Sequence, residues 1–116
     1  STRHEFKPAK NAYLEGLEQI KQKNAPNAIT DFATSLSEML KAVGAKGHVL
    51  SVLKSSAINL GVLSGHDGNL IDWIAAERNS GEAHNDSSRT IDDAWLHAHI
   101  TAPLILRLSK STPRKR

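Results

Sequence analysis

The chain has 116 residues, 7 glycines, 4 prolines and no cysteine. That is one domain with room for a real core, and it excludes a disulfide scaffold, a zinc ribbon, a collagen-like repeat and thiol nucleophile chemistry. The formal charge is +3, and Arg114, Lys115 and Arg116 account for all of it, because the rest of the chain carries 12 basic and 12 acidic residues. A neutral body does not favour a broad phosphate-binding face, and a basic tail of this kind either adds phosphate affinity through counterion release or, more often, is only a solvated terminus. The longest strongly apolar run, residues 101–108, contains Pro103 and Arg107 and is far below the roughly 20 residues of a membrane span. A soluble, cytoplasmic protein is expected, and the opening Ser1-Thr2-Arg3-His4 reads as a trimmed or vector-derived end of a longer parent.

Apolar spacing is helical nearly everywhere, which predicts an all-α bundle of about five helices. Residues 1–7 are expected to be disordered or vector-derived, residues 8–110 to form the helical domain, and residues 111–116 to be a flexible basic tail. The first helix is predicted from Pro8 to Lys23, with Tyr13, Leu14, Leu17 and Ile20 on one stripe. Asn24 and Pro26 restart the chain. The second runs to Val43 through Ile29, Phe32, Ala33, Leu36, Met39 and Leu40, and Gly44 stops it. The third follows Gly47 and ends at Gly61, its face made by Val49, Leu50, Val52, Leu53, Ala57 and Leu60.

A polar loop over residues 64–68 leads to a short fourth helix, Leu70 to Arg78, with Asp67 near its N-terminus. Arg78 lies four residues beyond Ile74 and seven beyond Ile71, so its head should emerge at the rim of the core. Thr90 and Asp93 have the spacing of a capping box opening the fifth helix, which Pro103 should kink. That last helix is apolar on so much of its circumference that it is either central or shared with a partner chain. Phe32, Leu36, Trp73 and Trp95 are expected to be buried, the two tryptophans as core anchors rather than base-stacking platforms.

His97-x-His99 is not a metal pair, because two helical residues turn through about 200° and send the rings opposite ways. No metal or cofactor is expected. The serines have no His and Asp at readable spacing, and no Gly-rich phosphate loop occurs. The most informative stretch is Arg78-Asn79-Ser80-Gly81-Glu82-Ala83-His84, a fixed cation and a titratable imidazole joined through Ser-Gly. On an unbroken helix the two side chains would stand about 240° apart in projection and roughly 9 Å apart along the axis. A break at Ser80-Gly81 is therefore expected to let the chain leave the helix after Asn79 and return His84 toward Arg78.

Arg-Asn, four residues and then His, between two apolar helices, resembles the signature of the HEPN superfamily. The fuller string, with its Gly-acidic-Ala-His step and a following helix rich in Ala and Leu, is most similar to the abortive-infection C-terminal family. The resemblance covers about Ile29 to Leu108 and implies a metal-independent endoribonuclease, dimeric, with paired motifs meeting across the interface. By motif position, Arg78 would steady phosphate charge, Asn79 would orient the phosphate or the histidine, and His84 would carry the proton as an RNA 2′-hydroxyl attacks the adjacent phosphate, leaving a 2′,3′-cyclic phosphate. Glu82, in place of the commoner Asp, and Asn85 would contact substrate, as would Arg114, Lys115 and Arg116. Expected partners are a second copy, RNA, and a missing N-terminal domain or an antitoxin in a toxin-like phage-defence system. The alternative is a noncatalytic module for dimerisation or nucleotide sensing.

Overall fold

The structure, a computed structural model, describes residues 4–83 and 89–112, the side chains of 80–83 excepted. A single 3₁₀ turn, His4–Phe6, leads into α1 (Lys7–Lys21), followed by α2 (Ala25–Ala42), α3 (Leu50–Leu60), α4 (Gly65–Ala83) and α5 (Ile91–Ser109). No strand is present among the described residues, so the all-α class holds. The fold begins earlier than expected, since Phe6 is buried and Lys7 opens α1.

Local chemistry accounts for most helix ends. Lys23 in the left-handed region (φ 63°) turns the chain out of α1, and the Asn24 side chain accepts the Asn27 N–H to open α2. Gly61 at φ 82° ends α3, its N–H going to Ile58 O while Val62 N–H reaches Ala57 O. Thr90 and Asp93 form the expected reciprocal box at the start of α5.

α1 runs antiparallel to both α2 and α5. The Ser35 hydroxyl donates to Ala9 O at 2.7 Å and the Tyr13 hydroxyl to Ala98 O at 3.0 Å, while the Tyr13 and Phe32 rings lie 5.1 Å apart. α1 comes close to α2 because Gly16 is bare: a Cβ there would stand 2.5 Å from Phe32 Cε1. Phe32, Leu36, Met39 and Leu40 have no exposed surface, which makes α2 the centre of the bundle. One apolar cluster joins Leu36, Met39 and Leu40 to Leu53, Ile71, Ile74 and Leu108, and a second joins Ile20, Ile29 and Phe32 to Ala94 and Ala98.

α3 and α4 form an antiparallel hairpin tied by Lys54 Nζ to Asp72 at 2.9 Å. α4 also runs back along α5, bridged by Asp67 to Arg107 at 2.7 Å and by Glu77 to Arg89 at 2.6 Å. No helix of the described residues is long and apolar enough to cross a membrane.

Two expectations about α4 are corrected. It is 19 residues long rather than a short segment from Leu70. Its extra first turn forms because Ser64 Oγ accepts the Asp67 N–H and Ser64 O accepts the Gly68 N–H, so the polar stretch at 64–68 is a cap instead of a loop. At its other end the helix passes through Ser80 and Gly81 to Ala83, and the expected break does not occur. A helical glycine costs only about 1 kcal/mol relative to alanine, a penalty too small to stop a helix already anchored by buried Ile71 and Ile74.

The tryptophans are also corrected. Trp73 and Trp95 remain 37% and 42% exposed. Each covers a histidine of α5 instead of entering the core: Trp73 packs on His97 with ring centroids 5.0 Å apart, and Trp95 stacks on His99 at 5.8 Å. Pro103 lies inside α5 on its exposed side, and the helix continues to Ser109.

Candidate functional site

Register delivers Arg78 as expected. Ile71 and Ile74 are fully buried on α4, and Arg78, one turn beyond Ile74, is half-buried at the edge of the core, with Asn79 exposed beside it. Because α3 and α4 are antiparallel, the start of α3 lies against this end of α4. Val49, Leu50 and Ser51 share with Ala75, Arg78 and Asn79 a depression of about 150 Å³.

Val49 is the extended N-cap residue of α3 and supplies no side-chain cap. The first amides of a helix carry partial positive charge; in α3 the Val52 N–H is already turned back to Val49 O at 3.1 Å, so the Leu50 and Ser51 N–H groups are the ones without an acceptor inside the helix. A guanidinium, a side-chain amide and a helix N-terminus thus converge on one hollow, an arrangement complementary to a phosphate oxygen.

Of the other expected site residues, Glu82 lies within the last turn of α4. His84, Asn85, Arg114, Lys115 and Arg116 lie outside the described residues. With α4 continuous to Ala83, the route by which His84 was to return toward Arg78, through a break after Asn79, is absent.

Sequence reasoning did not find the polar cluster immediately behind Arg78. Arg89 Nη1 donates to Glu77 Oε1 at 2.6 Å, and Nη2 donates to the Glu77 carbonyl oxygen at 3.0 Å. His97 is fully buried with its Nε2 3.9 Å from the same Glu77 oxygen. Neither ring nitrogen makes a hydrogen bond within the described structure, nor does the buried Thr101 hydroxyl one turn further along α5. Burial pushes the His97 imidazole below its ordinary pKa of 6.5, with Glu77 and Asp93 raising it and Arg89 lowering it further. His97 is therefore held neutral, while His99 is exposed on the opposite side, in line with the two-residue turn.

The Glu77–Arg89 pair joins residues twelve apart across the end of α4, a spacing that no helical or strand period marks. His97 was legible in principle, because it falls with Ala94, Ala98, Thr101 and Leu104 on the buried stripe of α5. Among the described residues no three His, Cys, Asp or Glu side chains are grouped to hold a metal ion.

Comparison of the chain with family models, with curated proteins and with solved structures gives no match.

Proposed function

We propose that this domain binds and cleaves RNA without a metal, as an endoribonuclease of the HEPN type acting in an abortive-infection or toxin-like defence protein. The reading is carried by the convergence of Arg78, Asn79 and the uncapped first turn of α3 on one hollow. A phosphodiester placed there meets a fixed cation and oriented N–H donors, the groups that stabilise charge growing on phosphoryl oxygens. In this reading His84, which lies outside the described residues, is the proton carrier, because an imidazole can accept a proton as a base and give it up as an acid.

Internal transesterification needs both a base and an acid, and one chain offers one such histidine in the motif. Two copies related by a twofold axis supply both, along with two arginines. The exposed Trp95 and Leu96, at the end of α5 nearest Arg89, support a partner surface at this end of the molecule. The same exposed pair favours the second reading, a noncatalytic dimerisation module.

The two readings separate on one assay. RNA, single-stranded and structured, is incubated with the protein in EDTA and the new ends are tested for cyclic phosphate. His84→Ala is expected to lower cleavage by about 10² to 10⁴, and Arg78→Ala by about 10². Equal cleavage by wild type and both variants would refute the site, and absence of cleavage by wild type on every RNA favours the noncatalytic module.

A further inference from the structure

His97 sits in a buried polar cluster that nothing proposed for Arg78 uses. Its ring has no exposed surface, and neither nitrogen makes a hydrogen bond among the described residues. Nε2 stands 3.9 Å from Glu77 Oε1, beyond hydrogen-bond reach. That same oxygen accepts from Arg89 Nη1 at 2.6 Å, while Arg89 Nη2 donates to the Glu77 carbonyl oxygen at 3.0 Å. Trp73 of α4 covers the imidazole, with ring centroids 5.0 Å apart.

Three charges act on His97: Glu77 from α4, Arg89 from the approach to α5, and Asp93 from α5 itself; among the described residues α1 and α2 contribute none. Asp93 is already engaged, because its Oδ2 accepts the Thr90 N–H at 2.9 Å and the Thr90 hydroxyl at 3.2 Å. Among the described residues this leaves Glu77 as the carboxylate that can answer a charge on His97. An imidazolium donates from both nitrogens, and a charge-assisted N–H···O bond closes to about 2.7–2.9 Å, so Nε2 has to advance only about 1 Å. Two cations crowded onto one oxygen at a site with this little water repel strongly. One of them has to leave. His97 is fixed on the buried stripe of α5 beneath Trp73, whereas Arg89 belongs to no helix and meets Glu77 where that side chain is 29% exposed, so the route to water is open to Arg89.

We propose that His97 and Arg89 are rivals for Glu77 and together form a proton switch: a proton taken up by His97 transfers Glu77 Oε1 from the guanidinium to the imidazolium, and Arg89 swings to water, unlatching the end of α4 from the approach to α5. The exchange keeps the cluster balanced, with one carboxylate facing one cation before and after. Burial disfavours the charged ring, so the latch stays closed at neutral pH and opens only as pH falls below the ordinary imidazole range. This inference is independent of the Arg78 reading.

The test follows the whole chain from about pH 7.5 to about pH 5 by NMR and hydrogen exchange, with circular dichroism as the check that it stays folded. As the His97 ring titrates, the Arg89 side-chain N–H signals are expected to lose their protection together with it. Amides in the turn of α4 around Glu77 should lose about tenfold in protection, corrected for intrinsic exchange. His97→Gln is expected to abolish both losses. Arg89→Gln keeps a donor for Glu77 but removes the rival charge, so the His97 midpoint should rise; Glu77→Gln removes the carboxylate, so it should fall. Arg89 signals that stay protected while His97 titrates would overturn the proposal, because the ring then leaves in place of the guanidinium. So would a ring that has not titrated by about pH 5, a midpoint indifferent to both Arg89→Gln and Glu77→Gln, the same acid-dependent losses in His97→Gln, or loss of helicity across the whole chain over this range.

Discussion

Arg89→Ala removes the link that holds the end of α4 against the start of α5. Two charge-assisted contacts are lost, at 2.6 Å to Glu77 Oε1 and 3.0 Å to its carbonyl oxygen. The Arg89 and Glu77 side chains are 13% and 29% exposed, so water only partly replaces the lost partner. Breaking a fully buried pair costs about 3–5 kcal/mol and a single hydrogen bond to a charged group about 1.5–3. Partial exposure places this pair between them, at about 2–3 kcal/mol. With an unfolding entropy of roughly 2.1 cal/mol/K per residue, that loss lowers Tm by about 10 °C, measurable by calorimetry. Arg89→Lys keeps the charge but not the fork that reaches both acceptors, and is expected to lose about half as much. Combining Arg89→Ala with Glu77→Ala should cost at least about 1 kcal/mol less than the two singles summed, because each single strands the other partner. A Tm drop under about 3 °C, or strict additivity, would refute the description of this pair as a structural clamp.

Three further outcomes follow from the same geometry. Because His97 binds its proton more weakly folded than unfolded, its contribution to stability is complete above about pH 6.5 and is lost as pH falls from there toward its lowered folded pKa. Urea midpoints of His97→Gln should fall less steeply between about pH 7 and 5 than those of wild type, and equal slopes would exclude a buried neutral His97. Gly16→Ala drives a Cβ to 2.5 Å from Phe32 Cε1. Overpacking of about 1–3 kcal/mol outweighs the roughly 1 kcal/mol gained in helix propensity. A net loss of about 1 kcal/mol is expected from chemical denaturation, and it should vanish in a Phe32→Leu background. Arg78→Ala, at the rim, should shift stability by less than about 1 kcal/mol while weakening RNA binding; a large Tm loss would make Arg78 a structural residue first.

The class of the fold was legible because every long apolar pattern has a helical period, and Phe32 and Leu36 are buried as their register requires. The capping box at Thr90 and the glycine stop at Gly61 were readable from local chemistry alone. Local signals misled where tertiary anchoring outweighed them. Ser80-Gly81 is a plausible breaker in isolation, yet α4 already has Ile71 and Ile74 fixed in the core. Trp73 and Trp95 follow apolar patterns, but the bundle surface they cover belongs to two histidines. In the candidate site, Arg78 and Asn79 were found by pattern, whereas the facing turn of α3 was not, because its approach depends on how α3 packs against α4. The Glu77–Arg89 link likewise arises from the path of the chain and leaves no periodic trace.

α2 and α5 point the same way, since Phe32 and Ala98 both meet Tyr13 while Met39 lies level with Ala102 and Ile105 further along. Parallel neighbours cannot be joined by a short turn, so residues 43–90 must carry the chain back, and α4 makes that return alongside α5. Its 19 residues correspond to about 28 Å of rise, which makes α4 a ruler with Arg78 marked near one end. One residue inserted between Asp67 and Glu77 would turn everything beyond it by about 100° and advance it by about 1.5 Å. Asp67 could then keep Arg107, or Glu77 keep Arg89, but not both. Insertions before Ser64 or beyond Arg107 leave this spacing untouched, so sequences sharing this domain should vary in length there and hold both α4 and the stretch from Arg89 to Arg107 to a fixed count between the two bridges.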